Sequence, residues 1–133
     1  YSKRIIKKKK MTKATYDNNN IFAKIIAKEA KANIVFENKY ILCFKDIFPK
    51  APVHILIIPK GQFKDIFDFS VNASPEEKKA IYDGFARVIE IFDLELDGCR
   101  IISNSGNHGR QEVPHLHFHL LGGKDIGPMI SKL

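Results

Sequence analysis

Residues 113–121 read Val113-Pro114-His115-Leu116-His117-Phe118-His119-Leu120-Leu121. From position 115 to 119 histidine recurs at every second place, and an apolar residue fills each gap. Successive side chains of a β-strand point to opposite faces. The stretch therefore predicts a strand over 113–121 with three imidazoles on one face and Leu116, Phe118 and Leu120 on the other. Positions two apart on a strand are separated by roughly 6.6 Å, which spreads the rings along about 13 Å, the footprint of a phosphate and its flanking sugar. A helix would scatter the same residues around its axis. One histidine on a wet strand face is unremarkable; three in register against a clean apolar row point to a site. His-x-His on a strand can also place two nitrogens on one zinc ion, and spacing alone leaves that alternative open.

The 133-residue chain is long enough for one domain around one core. Its 44% of hydrophobic residues, set in regular runs, exclude a disordered chain. No apolar run approaches the roughly 20 residues of a membrane span. No apolar segment follows the basic N-terminus, so a signal peptide is not expected either. Cys43 and Cys99 fall in predicted strands at no metal-like spacing and read as reduced thiols of a cytoplasmic protein. The net charge of +7 is concentrated: residues 1–10 hold six basic residues and no acid, which leaves 7 − 6 = +1 for the rest. A near-neutral body gives no reason to expect nucleic-acid binding. Met11 offers a natural start, and residues 1–10 are expected to be vector-derived or upstream read-through sequence; a basic arm for RNA or anionic lipid is the alternative. Residues 1–20 as a whole are expected to form a disordered or non-native basic segment, with a single domain over 21–133.

Asn20 can cap a helix over 21–30, whose apolar face is Ile21, Phe22, Ile25 and Ile26. Residues 34–37 and 40–44 read as a hairpin around Asn38-Lys39. A loop with two prolines leads to Val53–Pro59, a nearly continuous apolar run and hence a central strand. His54 is its one polar side chain and could be a satisfied core histidine. Residues 63–69 form a short helix or an irregular turn. Ser74-Pro75-Glu76-Glu77 is a helix start, and the helix is expected to run to Leu94 and to be broken off by Gly98. Residues 99–104 are a further strand, and the polar loop 105–112 then enters the histidine strand. About five strands and two helices with tight connections favour antiparallel pairing.

At this point the chain resembles the histidine-triad (HIT) family, most of all its Hint-like nucleotide hydrolase or phosphoramidase branch. His115-Leu116-His117-Phe118-His119-Leu120-Leu121 matches the family's alternation of histidine and apolar residues. Phe22 and its neighbours, Phe44-Lys45-Asp46-Ile47, Pro49–His54, Ile58-Pro59-Lys60 and Asn104-Ser105-Gly106 follow in the family's order. The resemblance implies an α+β fold, a five-stranded antiparallel sheet with one long and one short helix, that dimerises. It implies a purine nucleotide substrate cleaved between the α-phosphorus and its leaving group through a nucleotidyl-histidine. His117 is then the nucleophile, His119 and His54 contact the phosphate, and His115 supports the nucleophile from behind. Asp46 takes the ribose hydroxyls, Phe22, Phe44 and Ile47 enclose the base, and Asn104 and Gln111 touch the phosphate or leaving group. No cofactor and no metal is implied. Two departures bear on the leaving group: Glu112 stands where Hint-like members carry Ser, and the tail after Gly123 lacks their Trp-Pro-Pro-like end.

The residue chemistry agrees. Imidazole is a good nucleophile at phosphorus and a good leaving group, so it divides one hard displacement into two easier ones. It attacks as the neutral ring, which its ordinary pKa near 6.5 permits at neutral pH. Each remaining residue also has a plainer role. Asp46 suits a loop turn, Asn104 can close the turn at Gly106, and Phe22, Phe44 and Ile47 can be ordinary core. Dinucleoside polyphosphate hydrolysis, nucleotide-binding scaffolding and a zinc protein are the competing functions. A homodimer is expected through helix 75–94 and strand 99–104. Ala80, Tyr82 and Ala86 widen that helix's apolar stripe, and the strand would be an unsafe free edge.

Overall fold

The computed structural model describes residues 16–131. Five strands, β1 (Ile34–Glu37), β2 (Ile41–Lys45), β3 (Val53–Pro59), β4 (Arg100–Ile102) and β5 (Phe118–Gly122), form one sheet in the order β1-β2-β3-β5-β4. Every neighbouring pair is antiparallel. The apolar run Val53–Pro59 is central, as expected, with β2 on one side and β5 on the other. In the hairpin before it, Asn38 Oδ1 accepts from the backbone N–H of Tyr40 and Ile41 at 2.8 and 3.0 Å.

The two faces of the sheet follow the period-two alternation. Ile41, Cys43, Ile55, Ile57, Leu116, Phe118 and Leu120 pack on one side into a core with Ile81 and Val88. Leu42, Phe44, Leu56 and Ile58 form a smaller cluster on the other side with Phe22. The sheet thus carries a dry face under the long helix and a second face on which a site can be built.

Among the described residues three helices accompany the sheet, one more than expected: α1 (Ile21–Ile26), α2 (Ile66–Asn72) and α3 (Pro75–Ile91). α3 starts with a full capping box, Ser74 accepting from Glu77 N–H while the Glu77 carboxylate accepts from Ser74 N–H. α1 is capped by Asn20, whose Oδ1 accepts from Ala23 N–H at 2.8 Å. Both helices stop earlier than expected, α1 at Ile26 rather than residue 30 and α3 at Ile91 rather than Leu94. α1 ends through Lys28 and α3 through Asp93, each in the left-handed region at φ 64° and 55°. Each end is closed by a six-residue backbone bond, Glu29 N–H to Lys24 C=O and Leu94 N–H to Ile89 C=O. Gly98 therefore does not terminate α3; Asp93 does. α2 begins at Asp65, which accepts from Asp68 N–H at 2.8 Å. Ala80 is buried in the core rather than left over on the surface. Among the described residues, no helix is long and apolar enough to cross a membrane.

Tyr16 and Asn20, which precede the expected domain start at residue 21, are hydrogen-bonded into the fold. The expectation for residues 1–10 lies outside the described residues. The strand expected over 113–121 pairs only from Phe118. Asp46 N–H donates to His54 C=O and Lys60 N–H to Tyr40 C=O, so even-numbered residues of β3 bond towards β2 and odd-numbered ones towards β5. Pro59, the next partner after Ile57↔Phe118, has no N–H to give. The ladder stops there, and Leu116 N–H donates instead to Phe63 C=O at 2.8 Å.

Candidate active site

Four histidines from two neighbouring chain segments meet on the face opposite α3. β3 brings His54, β5 brings His119, and the unpaired lead-in to β5 brings His117 and His115. The alternation survives the loss of the ladder. Leu116 stays in the dry core, while His117 and His119 line a cleft of about 670 Å³.

The hydrogen bonds fix each ring's tautomer, because a backbone carbonyl can only accept and an amide N–H can only donate. His117 Nδ1 lies 2.7 Å from the His115 carbonyl, so it carries the hydrogen and leaves the Nε2 lone pair free. His115 Nε2 donates to Pro59 C=O at 2.8 Å, so its Nδ1 is the acceptor for the Tyr16 hydroxyl at 2.6 Å. Lys50 N–H donates to His54 Nδ1 at 3.0 Å, which places the His54 hydrogen on Nε2. That Nε2–H points at His119 Nδ1, 2.9 Å away, with Asp46 Oδ2 at 3.3 Å. His119 consequently carries its own hydrogen on Nε2. The face offers one lone pair, on His117, beside one N–H donor, on His119; the two ring centroids are 5.1 Å apart.

Burial keeps all four rings neutral at physiological pH. It lowers His115 to about 4, against the opposing pull of the Pro59 hydrogen bond. His119 falls to about 4 through burial and the neighbouring His117 and His54, opposed by Asp46. His117 and His54 are also lowered by burial, with Asp46 opposing in both cases and the His115 carbonyl opposing for His117. The unliganded rings therefore act through N–H dipoles rather than as imidazolium ions. A bound phosphate would raise their basicity through its negative charge.

Asp46, His54 and His119 come together as a group that could hold a metal ion, with donor atoms within 4.8 Å of one another. The hydrogen bonding of His54 does not fit that use. A metal would need a lone pair on His54 Nε2 and therefore a hydrogen on Nδ1, where the Lys50 N–H already points. The cluster reads as a proton-sharing network.

The remaining expected residues divide into two groups. Phe22, Phe44, Asp46, Ile47 and Asn104 all line the cleft. Phe22 stands edge-on to the His117 ring at 4.9 Å and to Phe44 at 5.7 Å, so it is both core and site wall. Ile47 is 80% exposed at the mouth. Asp46 serves the loop turn, with Oδ1 accepting from Phe48 N–H, while Oδ2 faces His54. Asn104 likewise donates to Gly109 C=O at 2.6 Å while lining the cleft. His115 and Gln111 do not line it. His115 is fully buried behind His117. The Gln111 amide ties its own loop, donating to Lys64 C=O and Val113 C=O and accepting from Gly106 N–H.

Four cleft cations, Lys31, Lys45, Lys50 and Arg110, and the buttress Tyr16 were missed from the sequence. Lys31 and Lys45 look like ordinary surface lysines. The left-handed backbone of Arg110, φ 59°, has no clear residue signature. Glu112 lines the cleft as well and acts on His117 across it.

A match to the HIT domain spans residues 27–126. A 13.2 kDa HIT-like protein of Azospirillum brasilense is 44% identical over 118 residues, 89% of this chain and 97% of that protein. The purine nucleoside phosphoramidase of Escherichia coli K12 is 40% identical over 111 residues, 84% and 92% of the two chains. Among solved structures, a HIT family hydrolase from Clostridium thermocellum superposes with a TM-score of 0.79 at 37% identity, covering 86% of this chain and 99% of that one. A HIT family hydrolase from Legionella pneumophila gives 0.75 at 40% identity, covering 80% and 95%. Across fold, histidine pattern and full-length similarity, the chain belongs to the HIT-domain family.

Proposed function

We propose that this protein is a nucleotide hydrolase that cleaves the bond between the α-phosphorus of a purine nucleotide and its leaving group, with a nucleoside phosphoramidate or acyl-adenylate as substrate. The observation that carries the proposal is the tautomer of His117. Its Nδ1–H is held by a backbone carbonyl, and its Nε2 lone pair is free beside the N–H donor of His119. In the first step Nε2 attacks the α-phosphorus, the bond to the leaving group breaks, and the leaving group departs with the electron pair and takes up a proton from solvent. In the second step water attacks the phosphorus and gives a proton back to solvent, the N–P bond breaks, and its pair returns to Nε2, releasing the nucleoside monophosphate. His119 Nε2–H donates to a phosphate oxygen in both steps, and His54 holds His119 in that tautomer. Asp46 grips the ribose hydroxyls, and Phe22, Phe44 and Ile47 enclose the base. Asn104 serves the phosphate. Gln111 reaches the leaving group only if its loop bonds open.

The phosphoramidase relative at 40% identity supports this substrate class. The four cleft cations favour a second reading, a dinucleoside polyphosphate hydrolase, since a longer anionic chain would use them. Adenosine 5′-phosphoramidate, lysyl-adenylate and diadenosine tetraphosphate, offered in parallel, separate the two by which is turned over. His117→Asn tests the chemistry. Turnover is expected to fall by about three or more powers of ten with nucleotide affinity kept, and near-normal turnover would overturn the proposal.

A further inference from the structure

We propose that Tyr16 is a positioning residue for the nucleophile, acting through His115; the inference rests on the function proposed above. His117 owes its orientation to the bond from its Nδ1–H to the His115 carbonyl, 2.7 Å. Sheet pairing does not help, because the ladder begins only at Phe118. Residue 115 must therefore be held by other means. Its ring is fully buried and fastened at both nitrogens, through Nε2–H to Pro59 C=O at 2.8 Å and through Nδ1 to the Tyr16 hydroxyl at 2.6 Å. The Pro59 bond uses a carbonyl that the broken ladder leaves free. The Pro59 carbonyl sets the His115 tautomer, and the Tyr16 hydroxyl satisfies the Nδ1 lone pair that this tautomer leaves and fixes the ring at its other end. The two rings also meet edge-on, with centroids 5.7 Å apart.

Tyr16 is itself held in place. Its hydroxyl oxygen accepts from Asn20 Nδ2 at 3.3 Å, and the same amide donates to Asp17 C=O at 2.7 Å. Asn20 Oδ1 at the same time caps α1, the helix whose Phe22 packs on His117. The segment before the first helix is thus connected to the nucleophile twice, once through His115 and once through Phe22. Burial raises the Tyr16 pKa, which keeps the hydroxyl a donor throughout the working range.

Removing the hydroxyl leaves a buried His115 nitrogen without its donor. The ring then keeps only its Pro59 fastening and can turn about it, and that movement shifts the carbonyl that holds His117. Y16F is the test, since it keeps the ring and its edge-on packing. Single-turnover formation of the His117 nucleotidyl adduct from adenosine 5′-phosphoramidate is expected to slow by roughly tenfold, the effect of one lost hydrogen bond to a buried partner. The half-saturating concentration should stay within about twofold, because Tyr16 does not line the cleft. In ¹⁵N spectra of histidine-labelled, ligand-free protein, wild-type His115 should show a single tautomer with hydrogen on Nε2. Its Nδ1 resonance should move in Y16F, and the His117 Nδ1–H resonance should move with it. An unchanged adduct rate, or a slower rate with an equal loss of affinity, would overturn the role. So would His115 and His117 resonances that match wild type. The spectra need no substrate. A wild-type protein that never forms the adduct refutes the proposed function, while unmoved ring resonances refute the part given to Tyr16.

Discussion

The burial of His115 makes the stability of this protein depend on pH, and the effect can be worked out from one ring. In the folded chain the ring has no solvent exposure, and its pKa is lowered to about 4 from an ordinary value of 6.5. Above pH 6.5 it is neutral whether the chain is folded or not, and stability does not respond to it. As the pH falls below 6.5 the unfolded chain takes up a proton that the folded chain refuses, so the unfolded state gains. The loss is complete once the pH is below about 4 and the folded ring is protonated too. At about 1.4 kcal/mol for each tenfold of proton affinity, the contribution of His115 is about 3 kcal/mol, most of it gone by about pH 4.5. The other site rings are lowered as well and add in the same direction. A variant therefore has to isolate the effect. His115→Gln can still donate to Pro59 C=O but cannot titrate. Urea unfolding of both proteins at pH 7.5, 6.5, 5.5 and 4.5 should start with the variant less stable and show the gap closing by about 2–3 kcal/mol towards low pH. Parallel stability curves would show that His115 does not stay neutral in the folded protein, and the argument from its burial would fail.

Two further outcomes concern substrate and assembly. Asp46→Ala should raise KM for ribonucleotides and narrow their advantage over 2′-deoxy analogues by roughly tenfold or more, the worth of a hydrogen bond to a charged group; Asp46→Asn keeps the Oδ1 acceptor for Phe48 N–H, so it separates sugar recognition from the loop turn. Unchanged ribose discrimination in both variants would leave Asp46 as a turn residue and a partner of His54. β4 lies at the edge of the sheet, and Tyr82 on α3 and Ile101 in β4 are 74% and 39% exposed. A two-fold pairing through these elements is expected, and light scattering at micromolar concentration should return about twice the 15.2 kDa chain mass; a fully active monomer would rule it out.

Most of the sheet was legible because its signals are local. The alternation in β2, β3 and β5 assigns each side chain to a face, and Asn20 and Ser74 announce their helices by the chemistry of their side chains. The errors came where a distant partner decides. Nothing near residue 118 says that the strand stops pairing there; the reason is a proline on a neighbouring strand, 59 positions earlier. Lys28 and Asp93 end helices in a conformation that glycine usually supplies, so neither true end was marked in the sequence. In the site, the histidines and Asp46 could be named from sequence because their chemistry is distinctive. Gln111 could not be placed, since whether its amide faces the cleft or its own loop depends on carbonyls from residues 64 and 113. Tyr16 carries no signal at all, because its partner lies 99 residues away.

The proline that interrupts the ladder divides the reactive face into two mechanical regimes. His119 rides on paired backbone and shares the rigidity of β3, whereas His117 sits just past the last rung and is aimed by rings and one carbonyl. On the mechanism proposed above, a change among those rings would re-aim the attacking nitrogen while paired backbone keeps His119 in place. The aim of the nucleophile and the register of the sheet would then answer to different residues.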